Sequence, residues 1–174
     1  MKVIFFDRDG TLIDEPETET INTWEKFHLK DGLGSLVKLR DAGYKFFIIS
    51  NQEAIGEGGL SQEFYDTTNT KLLGVLAEHG ITIEKVYTCP HARTANCECR
   101  KPGRGLIDQA LREYAIDVPN SYIIGDRPTD VELGQLVGMK CVHLESPWHK
   151  LPQGAEPKFV AQNLPQIVDY ILGV

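Results

Sequence analysis

Apolar and polar positions along the chain fall into short runs of two kinds. Val3 to Phe6, Tyr44 to Ile49, Lys85 to Thr88, Ser121 to Ile124 and Lys140 to Leu144 are brief, mostly apolar segments between polar or glycine-bearing stretches. Such runs read as strands buried on both faces of a sheet. Between them the apolar residues recur at helical spacing. Leu33, Leu36, Val37 and Arg40 predict a helix capped by Asp31, running to about Ala42 and stopped by Gly43. Ser61 reads as an N-cap with Glu63 in the first turn, opening a helix to about Glu78 that turns Phe64, Thr68, Leu72, Val75 and Leu76 inward. Leu106, Ile107, Ala110, Leu111 and Tyr114 form a third stripe, and helices are also expected over about Thr129 to Val137 and Leu164 to Leu172. Asp14 to Leu29 is polar and reads as a loop, as does the segment marked by Pro147, Pro152 and Pro157.

Strands alternating with helices predict a three-layer α/β/α sandwich around a mainly parallel sheet. Right-handed crossovers then bring the C-terminal ends of the strands to one edge, where open α/β sheets bind ligands. Asp7, Ser50 and Asp126 each follow a predicted strand directly, and Lys101 lies in the loop after another. Taken alone, Asp7-Arg8-Asp9-Gly10 could simply make a turn; the convergence of these distant groups argues for a site.

Composition narrows the picture. A chain of 174 residues is enough for one domain with a full core. Its 18 Lys and Arg against 25 Asp and Glu give a net charge of −7, which disfavours a nucleic-acid partner. No apolar run approaches the roughly 20 residues of a membrane span, and no signal peptide is evident, so a cytoplasmic location is expected.

The acids at the strand ends repel one another, and a divalent, oxygen-seeking ion such as Mg2+ is the economical counter-charge. A carboxylate can attack phosphorus to give an acyl phosphate, and Mg2+ with Lys101 would offset the repulsion between Asp7 and a phosphate dianion. Ser50 could hold phosphate oxygens, and Asp126 could complete the metal shell. Each has a plainer alternative: a strand-end cap for Ser50, a solvated lysine for Lys101, a turn residue for Asp126. Thr129 reads as a candidate N-cap of the next helix, and Asp130 is either a first-turn acid there or a metal contact.

A second constellation, Cys89-Pro90-His91 followed by Cys97-Glu98-Cys99, reads C-x-H-x5-C-x-C. Three sulfurs and an imidazole suit tetrahedral, structural Zn2+ better than a disulfide. The ion would stiffen a loop over about residues 89–103 and aim Lys101, two positions past the last ligand. Cys141 reads as a small core residue; His28, His79, His143 and His149 show no partner.

DRDGT at 7–11, Ser50-Asn51, Lys101 and GDRPTD at 125–130 resemble the four motifs of the haloacid dehalogenase superfamily, over almost the whole chain. Cys89 to Pro102 resembles its zinc-loop subgroup, which contains histidinol-phosphate and heptose-bisphosphate phosphatases. The five-residue gap between His91 and Cys97, Glu15-Pro16 and Arg127 resemble the histidinol-phosphate members. The resemblance implies a Rossmann-like single domain over 1–174 with no large cap. It implies Asp7 as nucleophile, Asp9 as general acid and then base, and Ser50 and Lys101 on the phosphate, with Asn51 and Arg100 near substrate or phosphate. Mg2+ would be held by Asp7, the Asp9 carbonyl and Asp126, with Asp130 behind them. The implied substrate is a small phosphomonoester, histidinol phosphate, in histidine biosynthesis; the alternative is a heptose or other sugar bisphosphate. The site should be open, walled by residues 14–19, 53–59 and the zinc loop, and Glu15, Glu17 and Glu19 could complement a cationic substrate or form a solvated acidic loop. No nucleic-acid or membrane partner is expected, the oligomeric state is open, and the chain is too short to include the dehydratase domain fused to some relatives.

Overall fold

A computed structural model describes residues 1–174. Six strands form one sheet in the order β3-β2-β1-β4-β5-β6, and every neighbouring pair is parallel. They are β1 (Val3–Phe6), β2 (Lys45–Asn51), β3 (Ile83–Cys89), β4 (Tyr122–Gly125), β5 (Lys140–Leu144) and β6 (Phe159–Ala161). The helices are α1 (Val37–Asp41), α2 (Glu53–Gly56), α3 (Gln62–Glu78), α4 (Gly105–Glu113), α5 (Pro128–Val137) and α6 (Leu164–Leu172). None is long and apolar enough to cross a membrane.

The two-residue period of the strands creates the layers. Ile4 and Phe6, Phe46 and Ile48, and Tyr122 and Ile124 point into a larger core shared with Leu39 of α1, Leu72 and Leu76 of α3, and Ile167 and Val168 of α6. Val3 and Phe5, Phe47 and Ile49, and Ile123 point the other way, onto Ile107 and Ala110 of α4 and Leu133 of α5. The central strands are therefore apolar throughout because both faces are covered. Cys141 is buried and packs beneath Gly134, as a small core residue would.

The order of the strands locates the crevice. The chain steps from β1 to β2 to β3 in one direction, then returns to the far side of β1 with β4. Loops leaving β1 and β4 diverge there, and that reversal is where a parallel sheet opens a cleft at its C-terminal edge.

Several local expectations are corrected. Asp31 does not cap a continuous helix; Gly32, in left-handed conformation, precedes a 3-10 turn over Leu33–Leu36 that only then becomes α1. Strand β2 runs on through Ser50 and Asn51, and a short helix, α2, occupies part of the expected glycine loop. The N-cap position of α5 is Arg127 and not Thr129. Strand β6 was not foreseen, because three residues are too few to show a period beside a proline-rich stretch. Ser61 does cap α3, its hydroxyl accepting from the Phe64 N–H at 3.1 Å.

Candidate active site

Asp7 follows β1, and its N–H still reaches the Ile124 carbonyl at 2.8 Å, so the aspartate is pinned between the two central strands. Its Oδ1 accepts from the Arg8 N–H at 2.7 Å and lies 2.9 Å from Lys101 Nζ. That ammonium also donates to Asp130 Oδ1 at 2.7 Å and to the Ile49 carbonyl at 3.1 Å. Lys101 is fixed at its backbone too: Asn51 Oδ1 accepts from its N–H at 2.9 Å, and Asn51 Nδ2 donates to its carbonyl at 3.1 Å. Burial opposes the charge on Lys101, yet Asp130 and Asp7 hold its pKa above the ordinary lysine value.

Asp126 closes the group from the end of β4. It is fully buried, and neither carboxylate oxygen has a hydrogen-bond partner. Carboxylate oxygens of Asp7, Asp126 and Asp130 lie within 4.8 Å of one another. Burial first, then the charges of Asp7, Asp130 and Glu15, push Asp126 up to about 8; Asp130 is pushed up to about 6, again chiefly by burial. An unpaired buried carboxylate among like charges is costly, and an all-oxygen donor set of this kind fits a hard cation such as Mg2+. Gly10, at φ +84°, passes so close that a Cβ there would stand 2.2 Å from Asp126 Oδ2.

Asp7, Asp9, Asn51, Gln52, Arg100 and Lys101 line a cleft of about 270 Å³ at this edge. Its walls include Glu15, Thr18, Glu19, Glu53, Ala54, Glu57 and Arg93, drawn from the three regions expected from the sequence. Ser50 is different: it is buried outside the lining, and its Oγ accepts from Gln52. Arg100 turns sideways to Glu53, 2.9 Å away.

The Cys89, His91, Cys97 and Cys99 ligand atoms also come within 4.8 Å of one another. Cys89 Sγ is 3.5 Å from Cys97 Sγ and 3.1 Å from Cys99 Sγ, and His91 Nδ1 is 3.1 Å from Cys99 Sγ. No cysteine is in a disulfide, and these separations are far beyond a sulfur–sulfur bond. Three thiols and an imidazole converging on one point fit tetrahedral Zn2+.

Two readings of individual side chains are overturned. Glu15 is not free to meet a cationic substrate: it is buried, paired with Arg127 and 2.7 Å from His149 Nε2. His149 accordingly has a partner. Glu19 is likewise engaged, 2.9 Å from Arg93, while Glu17 stays exposed. Asp130 both contacts Lys101 and caps α5, its Oδ2 accepting from the Arg127 N–H at 3.2 Å.

Sequence reasoning missed Arg8 and Gln52, and it placed Glu53 and Arg93 in the cleft walls without giving either a partner. Arg8 is buried, with Nη1 2.6 Å from Asp9 Oδ1. Glu53 sits between Arg93, at 2.6 Å, and Arg100. Burial opposes its charge, but the hydrogen bond from Arg100 and the two guanidinium charges lower its pKa to about 2. The one available signal for Arg8 was its place between two cleft-facing acids.

Comparison with known proteins gives consistent matches. A family model described as HAD-hydrolase-like matches residues 98–167. The Histidine biosynthesis bifunctional protein HisB of Campylobacter jejuni subsp. jejuni is 36% identical over 141 residues, 80% of this chain and 40% of that protein. Its namesake from Actinobacillus pleuropneumoniae is 36% identical over 167 residues, 93% of this chain and 46% of that protein. The chain thus spans less than half the length of these curated relatives. The crystal structure of D,D-heptose 1,7-bisphosphate phosphatase from B. bronchiseptica, complexed with magnesium and phosphate, matches with a TM-score of 0.88 over 99% of both chains, at 22% identity. At that identity the likeness speaks for the fold.

Proposed function

The chain belongs to the haloacid-dehalogenase-like hydrolases, and from that premise we propose that it hydrolyses a phosphomonoester through an aspartyl phosphate, with histidinol phosphate as substrate. The observation that carries this reading is the meeting of Asp7, Lys101 and the unpartnered Asp126 at the base of one polar cleft. Asp7 is the nucleophile: its oxygen bonds to phosphorus as the ester P–O bond breaks. Lys101, held by Asp130 and Asn51, presents fixed positive charge to the transferring oxygens. Ser50, Asn51 and Arg100 complete the surroundings of phosphate and substrate. Asp9 protonates the departing alkoxide and then takes a proton from the water that attacks phosphorus and frees Asp7. Asp7, the Asp9 carbonyl and Asp126 would hold Mg2+, which would supply further neutralisation of the phosphoryl charge. Cys89, His91, Cys97 and Cys99 would hold a structural Zn2+, fixing the loop that bears Arg100 and Lys101.

The choice of histidinol phosphate follows the two HisB relatives and the short His91 to Cys97 gap. A second reading, a heptose or other sugar bisphosphate, is favoured by the three arginines, Arg93, Arg100 and Arg127, that line the cleft and could meet a second phosphate. Phosphate release from both substrates, with and without Mg2+, separates the two. Faster turnover of histidinol phosphate is expected; much faster turnover of the bisphosphate would reverse the assignment. Asp7→Asn should lower turnover by at least about a thousandfold with the fold intact, and an unchanged rate would end the phosphatase reading.

A further inference from the structure

The two oxygens of Asp9 are held differently. Oδ1 is 2.6 Å from Arg8 Nη1. That guanidinium is itself locked, its Nε donating to Asn69 Oδ1 at 2.7 Å and its Nη2 to Thr68 Oγ1 at 2.6 Å, above the ring of Tyr65. With 1% of its surface exposed, Arg8 has no room to swing away. Oδ2 instead accepts from Gln52 Nε2 at 2.5 Å. A carboxylate only accepts, so the NH2 end of the amide is the end that must face it. The same nitrogen lies 2.8 Å from Ser50 Oγ, so its two hydrogens are both used, one on Asp9 and one on Ser50. Gln52 and Asp9 line the cleft, and Arg8 does not.

We propose that Gln52 is a positioning residue for phosphoryl transfer, fixing Oδ2 of Asp9 as the oxygen that carries the catalytic proton and leaving the Ser50 O–H free to donate. The inference rests on the phosphatase reading above. Oδ1 is committed to a permanent cation, so the transferable proton resides on Oδ2. As the Asp7–phosphorus bond forms and the ester P–O bond breaks, that proton passes to the leaving alkoxide oxygen. A Gln52 N–H then meets the carboxylate oxygen left behind, a hydrogen bond that strengthens as charge develops and so lowers the barrier rather than only tightening binding. In the second step the oxygen of water bonds to phosphorus, the Asp7–phosphorus bond breaks, and a proton of that water returns to Oδ2.

The test compares kcat/KM for an alkyl phosphomonoester and for p-nitrophenyl phosphate in the full chain with its metals. The ratio kcat/KM covers the steps up to formation of the aspartyl phosphate, and p-nitrophenolate leaves without needing a proton. Gln52→Glu keeps the shape but replaces the donor with an acceptor, and Gln52→Ala removes it. Both should lower kcat/KM for the alkyl ester at least about tenfold more than for the aryl ester. Should Gln52→Ala fail to fold, the isosteric Gln52→Glu carries the measurement. Equal losses on the two esters, or no loss on either, would overturn the proposal, because a merely structural role does not distinguish leaving groups. A wild-type chain that cleaves neither ester would overturn the phosphatase reading itself, and the Gln52 proposal with it.

Discussion

The carboxylate cluster and the thiol cluster are built by opposite means. Asp7 and the Asp126–Asp130 stretch lie far apart in the chain and are brought together by β1, β4 and the start of α5, all three acids being buried. Cys89, His91, Cys97 and Cys99 come from a single short segment, and only Cys89 is buried. Burial pushes the Cys89 thiol up to about 12, whereas the hydrogen bonds of Cys97 with Cys89 and Cys99 outweigh its own desolvation and bring that thiol down to about 7. The first site exists because the sheet exists, and a cation there relieves repulsion already present. The second lies in a loop with little regular structure, where an ion supplies the order. Removing the ion should therefore strain one region and loosen the other.

That contrast can be broken most directly at Asp126. Asp126→Asn should lower turnover by about a hundredfold or more, yet raise the melting temperature of the metal-free protein at neutral pH by about 2–6 °C, since the wild-type carboxyl, pushed up to about 8, must take up a proton to be buried and the amide need not. A lower metal-free melting temperature would show that the sheet does not hold these acids against their repulsion. Next in size is the thiol cluster. Cys97→Ser, or zinc chelation, should abolish amide-exchange protection over residues 89–103, leave β1, β2 and β4 protected, and lower turnover about tenfold through the displaced Lys101. Loss of protection throughout the sheet would make the two regions one unit. The smallest effect concerns Glu53, which joins the thiol loop to α2 through Arg100 and Arg93. Its folded pKa of about 2 lies below the ordinary 4.5, so its contribution is fully present above pH 4.5 and is lost as pH falls toward 2. The melting-temperature gap between wild type and Glu53→Gln should shrink across that window; a constant gap would remove the charge from the account.

The same contrast governs what could be read from the chain. The thiol cluster was legible because its ligands are neighbours in sequence. Asp7 and Asp126 were legible because each follows an apolar strand, and parallel topology brings strand ends together whatever their separation; Asp130 lies one turn further on, in α5. What lies between sites was not legible. Arg8 depends on Thr68 and Asn69, and Glu15 on Arg127 and His149, pairings that no local period encodes. Glu15 was misread for that reason: a run of acids looks solvated until a distant arginine is folded onto it. Strand β6 was hidden by its brevity, and the start of α1 by Gly32, whose left-handed backbone took the place expected of an aspartate cap.

Asn51 has a consequence of its own. Its carboxamide meets both the donor and the acceptor of residue 101, so a side chain performs the pairing that an adjoining strand would otherwise provide. For the length of one residue the loop is stitched to the rim of the sheet, and the lysine inherits the stiffness of β2. Aspartate in that seat would set oxygen against carbonyl oxygen, so this amide anchors the backbone from which the ammonium reaches Asp7, Asp130 and the Ile49 carbonyl.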